Sequence, residues 1–129
     1  LSDGNVTLTN ATHSGRVLLV PDGGQDNTYT LPAPIAGSMF RFVYAGGAAD
    51  ATDAIIVTPG NTNFYIGGIT FLDTDGNAIS SVFSNGSSNS SIQFNVPAGF
   101  DVTIMGINTT NYQIFGNATS TTAPAFADQ

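Results

Sequence analysis

The sequence predicts an all-β domain, either an antiparallel β-sandwich or a jelly-roll-like barrel, of about ten short strands with extended terminal arms. Three observations lead there. Short runs of β-branched and aromatic residues recur between clusters of Gly, Pro, Asn and Asp, the punctuation of an all-β domain. Several runs alternate apolar and polar residues, which sets one face of each against a core. The chain also has no Lys and no Glu. Both are good helix formers that coat exposed helix faces, so their absence argues against surface helices.

The strands are expected in the following order. Val6–Thr9 and Arg16–Val20 come first, then Thr28–Leu31 after a turn at Asp22-Gly23-Gly24. Pro32 and Pro34 flank Ala33 in a stiff stretch that lacks the donors of a central strand. Ser38–Ala45 sets Phe40, Phe42 and Tyr44 on one face and Met39, Arg41 and Val43 on the other. Gly46-Gly47 then turns the chain toward Ala54–Thr58. Phe64–Leu72 is expected to break at Gly67-Gly68, and a hairpin around Asp73-Thr74-Asp75-Gly76-Asn77 leads into Ala78–Phe83. Residues 84–91 are almost wholly Ser, Asn and Gly, with a turn at Asn85-Gly86, and read as an exposed loop. In Ser91–Val96, Ile92, Phe94 and Val96 alternate with Ser91, Gln93 and Asn95. Pro97-Ala98-Gly99 makes a tight turn into Asp101–Ile107, where Phe100, Val102 and Ile104 alternate with Asp101, Thr103 and Met105; Tyr112–Phe115 follows. Residues 117–129 show no period and read as an extended C-terminal arm, either a disordered end or an arm that docks on a neighbour, with Phe126, alone among polar residues, favouring the docked arm. The chain is thus expected to be one domain over 1–129, with its core within 6–116.

At 129 residues a single domain buries roughly two-thirds of its unfolded surface. Nine Phe and four Tyr are enough to fill that core, at about 1.5–3 kcal/mol per buried Phe. Charged residues make up only 9% of the chain, and the net charge is −7, with Arg16 and Arg41 the only cations besides the single histidine. Phosphate contacts need clustered Lys or Arg, so nucleic acid is not an expected partner. An anionic membrane surface is disfavoured for the same reason. With no Cys, disulfides and thiolate chemistry are excluded. No apolar run approaches the ~20 residues that span a bilayer, and no secretory signal is apparent. The chain opens on Leu1, so a natural Met start was either removed or lies upstream.

Chemistry-bearing patterns are sparse, and neither an enzyme, a cofactor nor a metal is expected. His13 is the single histidine. No Gly-x-Ser-x-Gly elbow accompanies it, so His13-Ser14-Gly15 reads as an exposed turn. A glycosidase needs two placed carboxylates, but most of the nine Asp residues stand in turn contexts. Asp73-Thr74-Asp75-Gly76 is shaped like the start of a calcium loop, yet Gly comes too early and the Glu that completes such a loop is missing. Asp50 and Asp53 lie in a Gly/Ala-rich loop and read as solvated rather than as calcium ligands. Six Asn-x-Ser/Thr sequons, at Asn5, Asn10, Asn85, Asn89, Asn108 and Asn117, follow from composition. The Gly-Gly pairs have no Lys and no helix start after them, so they form no phosphate loop.

One stretch carries a resemblance. The run Thr30-Leu31-Pro32-Ala33-Pro34-Ile35-Ala36-Gly37-Ser38-Met39-Phe40-Arg41-Phe42-Val43 follows a lead-in over Leu8–Val17. It precedes Asp101–Ile107 and then Tyr112-Gln113-Ile114-Phe115-Gly116. This order, over Leu8 to Gly116, resembles the head decoration (cement) proteins and related fibre modules of tailed bacteriophages. The aromatic of the last strand in that pattern is often Trp, where this chain has Tyr112. The resemblance implies a β-sandwich or barrel that sits on the outer capsid surface of a virion. It implies a homotrimer that bridges major capsid protein subunits and stabilises the shell, with no catalytic residues. An interface of such an oligomer is expected to draw on Leu1, Met39, Met105 or Phe126. The alternative is a tail-fibre or receptor-binding module that recognises host surface glycan through exposed residues such as Tyr65, Asn61 and Asn63.

Overall fold

The computed structural model describes residues 1–47 and 51–129. Eleven strands and one helical turn occur among them: β1 Val6–Thr7, α1 Asn10–His13, β2 Arg16–Val20, β3 Asn27–Thr30, β4 Met39–Tyr44, β5 Ala54–Val57, β6 Phe64–Asp73, β7 Ala78–Phe83, β8 Ser91–Phe94, β9 Gly99–Gly106, β10 Asn111–Ser120 and β11 Ala125–Ala127. They form a five-stranded sheet, β1-β3-β5-β8-β11, and a six-stranded sheet, β2-β4-β9-β10-β6-β7. The two sheets share no strand and pack face to face, so the fold is a sandwich and not a closed barrel.

The expected antiparallel arrangement is corrected. The pairs β1–β3, β3–β5, β2–β4 and β6–β10 are parallel. The reason lies in the connections. From β1 to β5 the chain alternates between the sheets, so each return to a sheet repeats the earlier strand direction. The stiff 32–37 segment, with Pro32 and Pro34, leads from β3 across to β4 in the other sheet. Tight hairpins remain at β6–β7 and β9–β10, both antiparallel. In the first, Asn77 takes the left-handed conformation.

The alternation expected from the sequence sets the core. Phe40 and Phe42 of β4, Phe100, Val102 and Ile104 of β9, and Tyr112 and Ile114 of β10 are buried. From the other sheet come Tyr29, Ala54, Ile56, Ile92 and Phe94. Three aromatic pairs tie the sheets together: Phe94 stacks on Phe100 at 4.2 Å between ring centroids, Tyr29 meets Phe42 at 6.3 Å, and Tyr65 meets Phe126 edge-on at 5.9 Å. Buried hydroxyls need partners. Tyr65 Oη donates to Ile56 O at 3.1 Å, and Tyr112 Oη donates to Pro32 O at 2.7 Å. Burial raises both phenols well above the ordinary tyrosine range. The Tyr112 bond fastens the stiff crossover to the centre of the six-stranded sheet. Tyr112→Phe keeps the ring packing and strands that carbonyl; a loss of about 1–2 kcal/mol is expected in urea unfolding.

Two further expectations change. β6 is not broken at Gly67-Gly68 but runs from Phe64 to Asp73. Its ladder to β10 lapses between the Ile114–Gly67 and Asn117–Thr70 pairs and resumes in the same register. Gly67 (φ +91°) is the last paired residue of β6 before the gap, and Gly116 (φ +138°) lies within it on β10; residues 68–69 face 115–116 there, so the strands stay aligned across it. The segment from Asn117 is not a free arm. Asn117–Ser120 completes β10, and β11 pairs antiparallel with β8. Gln129 then donates through Nε2 to Thr58 O at 2.8 Å and Ser90 O at 3.0 Å.

Candidate functional site

The outward face of the six-stranded sheet is the most unusual surface of the molecule. Strand pairing sets its rows. Val17 of β2 neighbours Arg41 of β4, which neighbours Thr103 of β9 and then Phe115 of β10. Leu19, Val43, Asp101, Asn117, Thr70 and Ser81 form the next row across all six strands. Met39 and Met105 are direct neighbours. Val17, Leu19, Met39, Phe115, Ile79 and Phe83 are six of the eight large hydrophobic residues exposed among the described residues. The other two, Ile35 and Ile107, lie just outside β4 and β9.

Among the described residues of this face, charge is confined to one pair. Arg41 Nε donates to Asp101 Oδ1 at 2.8 Å and Nη2 to Oδ2 at 2.5 Å, a two-pronged contact between neighbouring strands. The guanidinium holds the Asp101 carboxyl below the ordinary carboxylate range, and the carboxylate raises Arg41 in turn. The pair floors a shallow hollow of about 420 Å³ with Met39, Thr103, Phe115, Gly116 and Asn117 around it. A second hollow of about 450 Å³ lies between Thr70, Ser81, Phe83 and Phe115. Phe115 is therefore a ridge between two depressions. Such relief suits contact with another macromolecule better than enclosure of a small ligand, which needs a deep cleft.

The structure brings two of the four expected interface residues together and separates the others. Met39 and Met105 share this face. Leu1 packs on the core at the β2 edge, where its amine donates to Leu19 O at 2.7 Å. Phe126, expected to dock on a neighbour, turns inward against Tyr65 of its own chain. The residues that sequence reasoning missed are Val17, Leu19, Ile79, Phe83 and Phe115. A signal was present: Val17-Leu18-Leu19-Val20, Val82-Phe83 and Ile114-Phe115 are consecutive apolar residues inside strands. Successive side chains point to opposite faces, so one of each pair must face out.

The other candidates have structural duties. Tyr65, expected on a surface, is fully buried. Asn61 donates to Gln129 O at 2.7 Å, and Asn63 donates to the Thr109 and Thr110 carbonyls. Tyr65 is thus withdrawn from the surface, whereas Asn61 stays exposed and Asn63 half-buried, each with its amide bonded to a backbone carbonyl. His13 ends the helical turn α1, and its Nδ1 accepts from Thr9 N at 3.0 Å. Asp73 Oδ1 accepts from the backbone of Asp75 and Gly76, which accounts for that calcium-like run as a turn. Asp53 accepts from Gln93 Nε2 at 2.6 Å and Val96 N at 2.8 Å, tying the loop before β5 to β8. Asp50 lies outside the described residues. Asp3 accepts from Gly24 N at 3.2 Å and Asn27 Nδ2 at 3.0 Å, and these donors lower its carboxyl.

Both lowered carboxyls predict acid sensitivity of one sign. A group whose folded value lies below its unfolded one stabilises the fold above the unfolded value, and that contribution drains away as pH falls through the folded one. Stability is therefore expected to fall as pH drops below about 3.8, the ordinary value for both Asp3 and Asp101. Asp101→Asn is expected to flatten that fall relative to the parent, measured as Tm against pH.

No family model, no curated protein and no solved structure matches this chain.

Proposed function

We propose that the protein is a non-catalytic structural component of a virion, a decoration protein that binds the outside of an icosahedral phage capsid. It bridges major capsid protein subunits and stabilises the shell. The observation that carries the reading is the outward face of the six-stranded sheet, where large apolar side chains surround a single ion pair. A broad, shallow face of that kind gives wide contact with little charge to desolvate. The resemblance over Leu8 to Gly116 supplies the capsid as the surface to be covered. A chain with net charge −7 suits a particle exterior better than its packaged nucleic acid. Many copies of one weak contact sum to firm attachment on a repeating lattice of subunits.

Immunogold labelling of particles purified from the native source tests this. Label spread evenly over the heads is the expected result. Label on a tail tip alone, or on no particle, overturns the reading. On particles stripped of the protein, the parent chain is expected to rebind, and Phe115→Asp is expected to rebind at least about tenfold more weakly, the equivalent of ~1.4 kcal/mol.

A further inference from the structure

A sheet has two edges, and each edge presents unpaired backbone donors and acceptors that natural proteins blunt. Three of the four edges here are blunted. β1 is only two residues long. β11 is three residues long and follows Pro124. β2 carries Arg16 and has its Leu19 carbonyl taken by the amine of Leu1. The fourth edge, β7, is six residues long with the sequence Ala-Ile-Ser-Ser-Val-Phe. It contains no charge and no Pro, and among the described residues β6 is its only paired neighbour. Ile79 and Phe83 are 75% and 73% exposed, the highest values among the large hydrophobic residues described.

We propose that β7 is a self-pairing strand: two copies of this chain join β7 to β7 in antiparallel register about Ser81, fusing their six-stranded sheets into one. The strand's own pattern selects the second copy as occupant. With Ser81 opposite Ser81 on a two-fold axis, Ile79 stands opposite Phe83 of the second copy, and Phe83 opposite its Ile79. All of these side chains lie on the outward face, because β7 residues two apart share a face. Aromatic and β-branched residues directly opposite each other are a favourable cross-strand pair. A two-fold contact requires that kind of reciprocity, with residue i meeting j and j meeting i. The small Ser81 at the axis leaves room for the chains to approach. Charge points the same way: two copies at net charge −7 repel, and β7 is a strand without an ionisable group along which they can meet. The fused sheet also makes the outward apolar faces of the two copies continuous.

The pairing is independent of the capsid reading, because it is measured on the purified chain. Light scattering across a concentration series is expected to show a mass of two chains. Ser81→Lys places like charges opposite each other at the axis, and should give the one-chain mass with an unchanged circular dichroism spectrum. Ile79→Lys and Phe83→Glu should each weaken the dimer. The double variant, which sets Lys opposite Glu twice, should restore it. A parent chain of one-chain mass, or a three-chain mass as the resemblance implies, overturns the proposal. So does a dimer indifferent to Ser81→Lys. Failure of the double variant to recover, with both single variants folded, overturns the register.

Discussion

Phe94→Ala is expected to cost about 3–5 kcal/mol, enough to unfold a large share of the molecules near physiological temperature. Phe94 is buried on β8, and its ring stacks on Phe100 of β9 in the opposite sheet. The pair adds a specific ring contact to the area it removes from water, worth about 0.5–1.5 kcal/mol beyond burial. Phe100 also lies 5.5 Å from Tyr44 between ring centroids, so the cavity left by Phe94 opens beside a ring cluster that cannot collapse into it without tilting. Thermal unfolding of Phe94→Ala and Phe94→Leu separates the two contributions. Leucine keeps most of the volume and is expected to recover more than half of the loss. Equal losses for both variants would show that ring stacking, not volume, governs the site.

Gly116→Ala is the second large effect, and it acts through the backbone. Gly116 has φ +138°, and a Cβ there would lie 2.1 Å from Asp101 O and 2.7 Å from Val102 Cα. Those atoms belong to the neighbouring strand β9, which is fixed on its far side by β4, so neither can give way cheaply. A loss of at least ~2 kcal/mol is expected, from strain plus displacement of a central strand. The control is Gly47→Ala, where a Cβ meets nothing within 4 Å; it should unfold at nearly the parent Tm. Because Gly116 also lines the hollow beside Phe115, the variant tests whether the backbone conformation there shapes that face. Chemical-shift changes should extend from Asp101 to Phe115.

Much of the fold was legible because burial writes itself into alternation. Phe40, Phe42, Phe100, Val102 and Ile104 read as inward residues, and all are buried. Strand direction was not legible. Alternation is identical in parallel and antiparallel strands, and the crossovers between sheets are encoded only as Pro- and Gly-rich connectors. The last strand escaped for a related reason: Ala125-Phe126-Ala127 is too short for a period, and its place is set by pairing with β8 and by Tyr65 beneath Phe126. The candidate site was half legible. Met39 and Met105 stood out as large residues on the polar side of their strands. Ile79 and Phe83 did not, because no local rule says which strand will end at an edge.

The parallel pair of β6 and β10 has a consequence for how the chain reaches this structure. Phe64 lies opposite Asn111, and the same offset persists to Asp73 opposite Ser120. β6 therefore gains its inner neighbour only after most of the chain is available. Until then the β6–β7 hairpin has two open edges. Closing so long a segment before its contacts reward it is slow, and folding in the millisecond-to-second range is expected for such a topology. During that wait the uncharged β7 can meet the β7 of another unfinished chain as readily as that of a finished one. The yield on refolding should therefore fall steeply with protein concentration, and Ser81→Lys, by placing a charge on that strand, should relieve the fall.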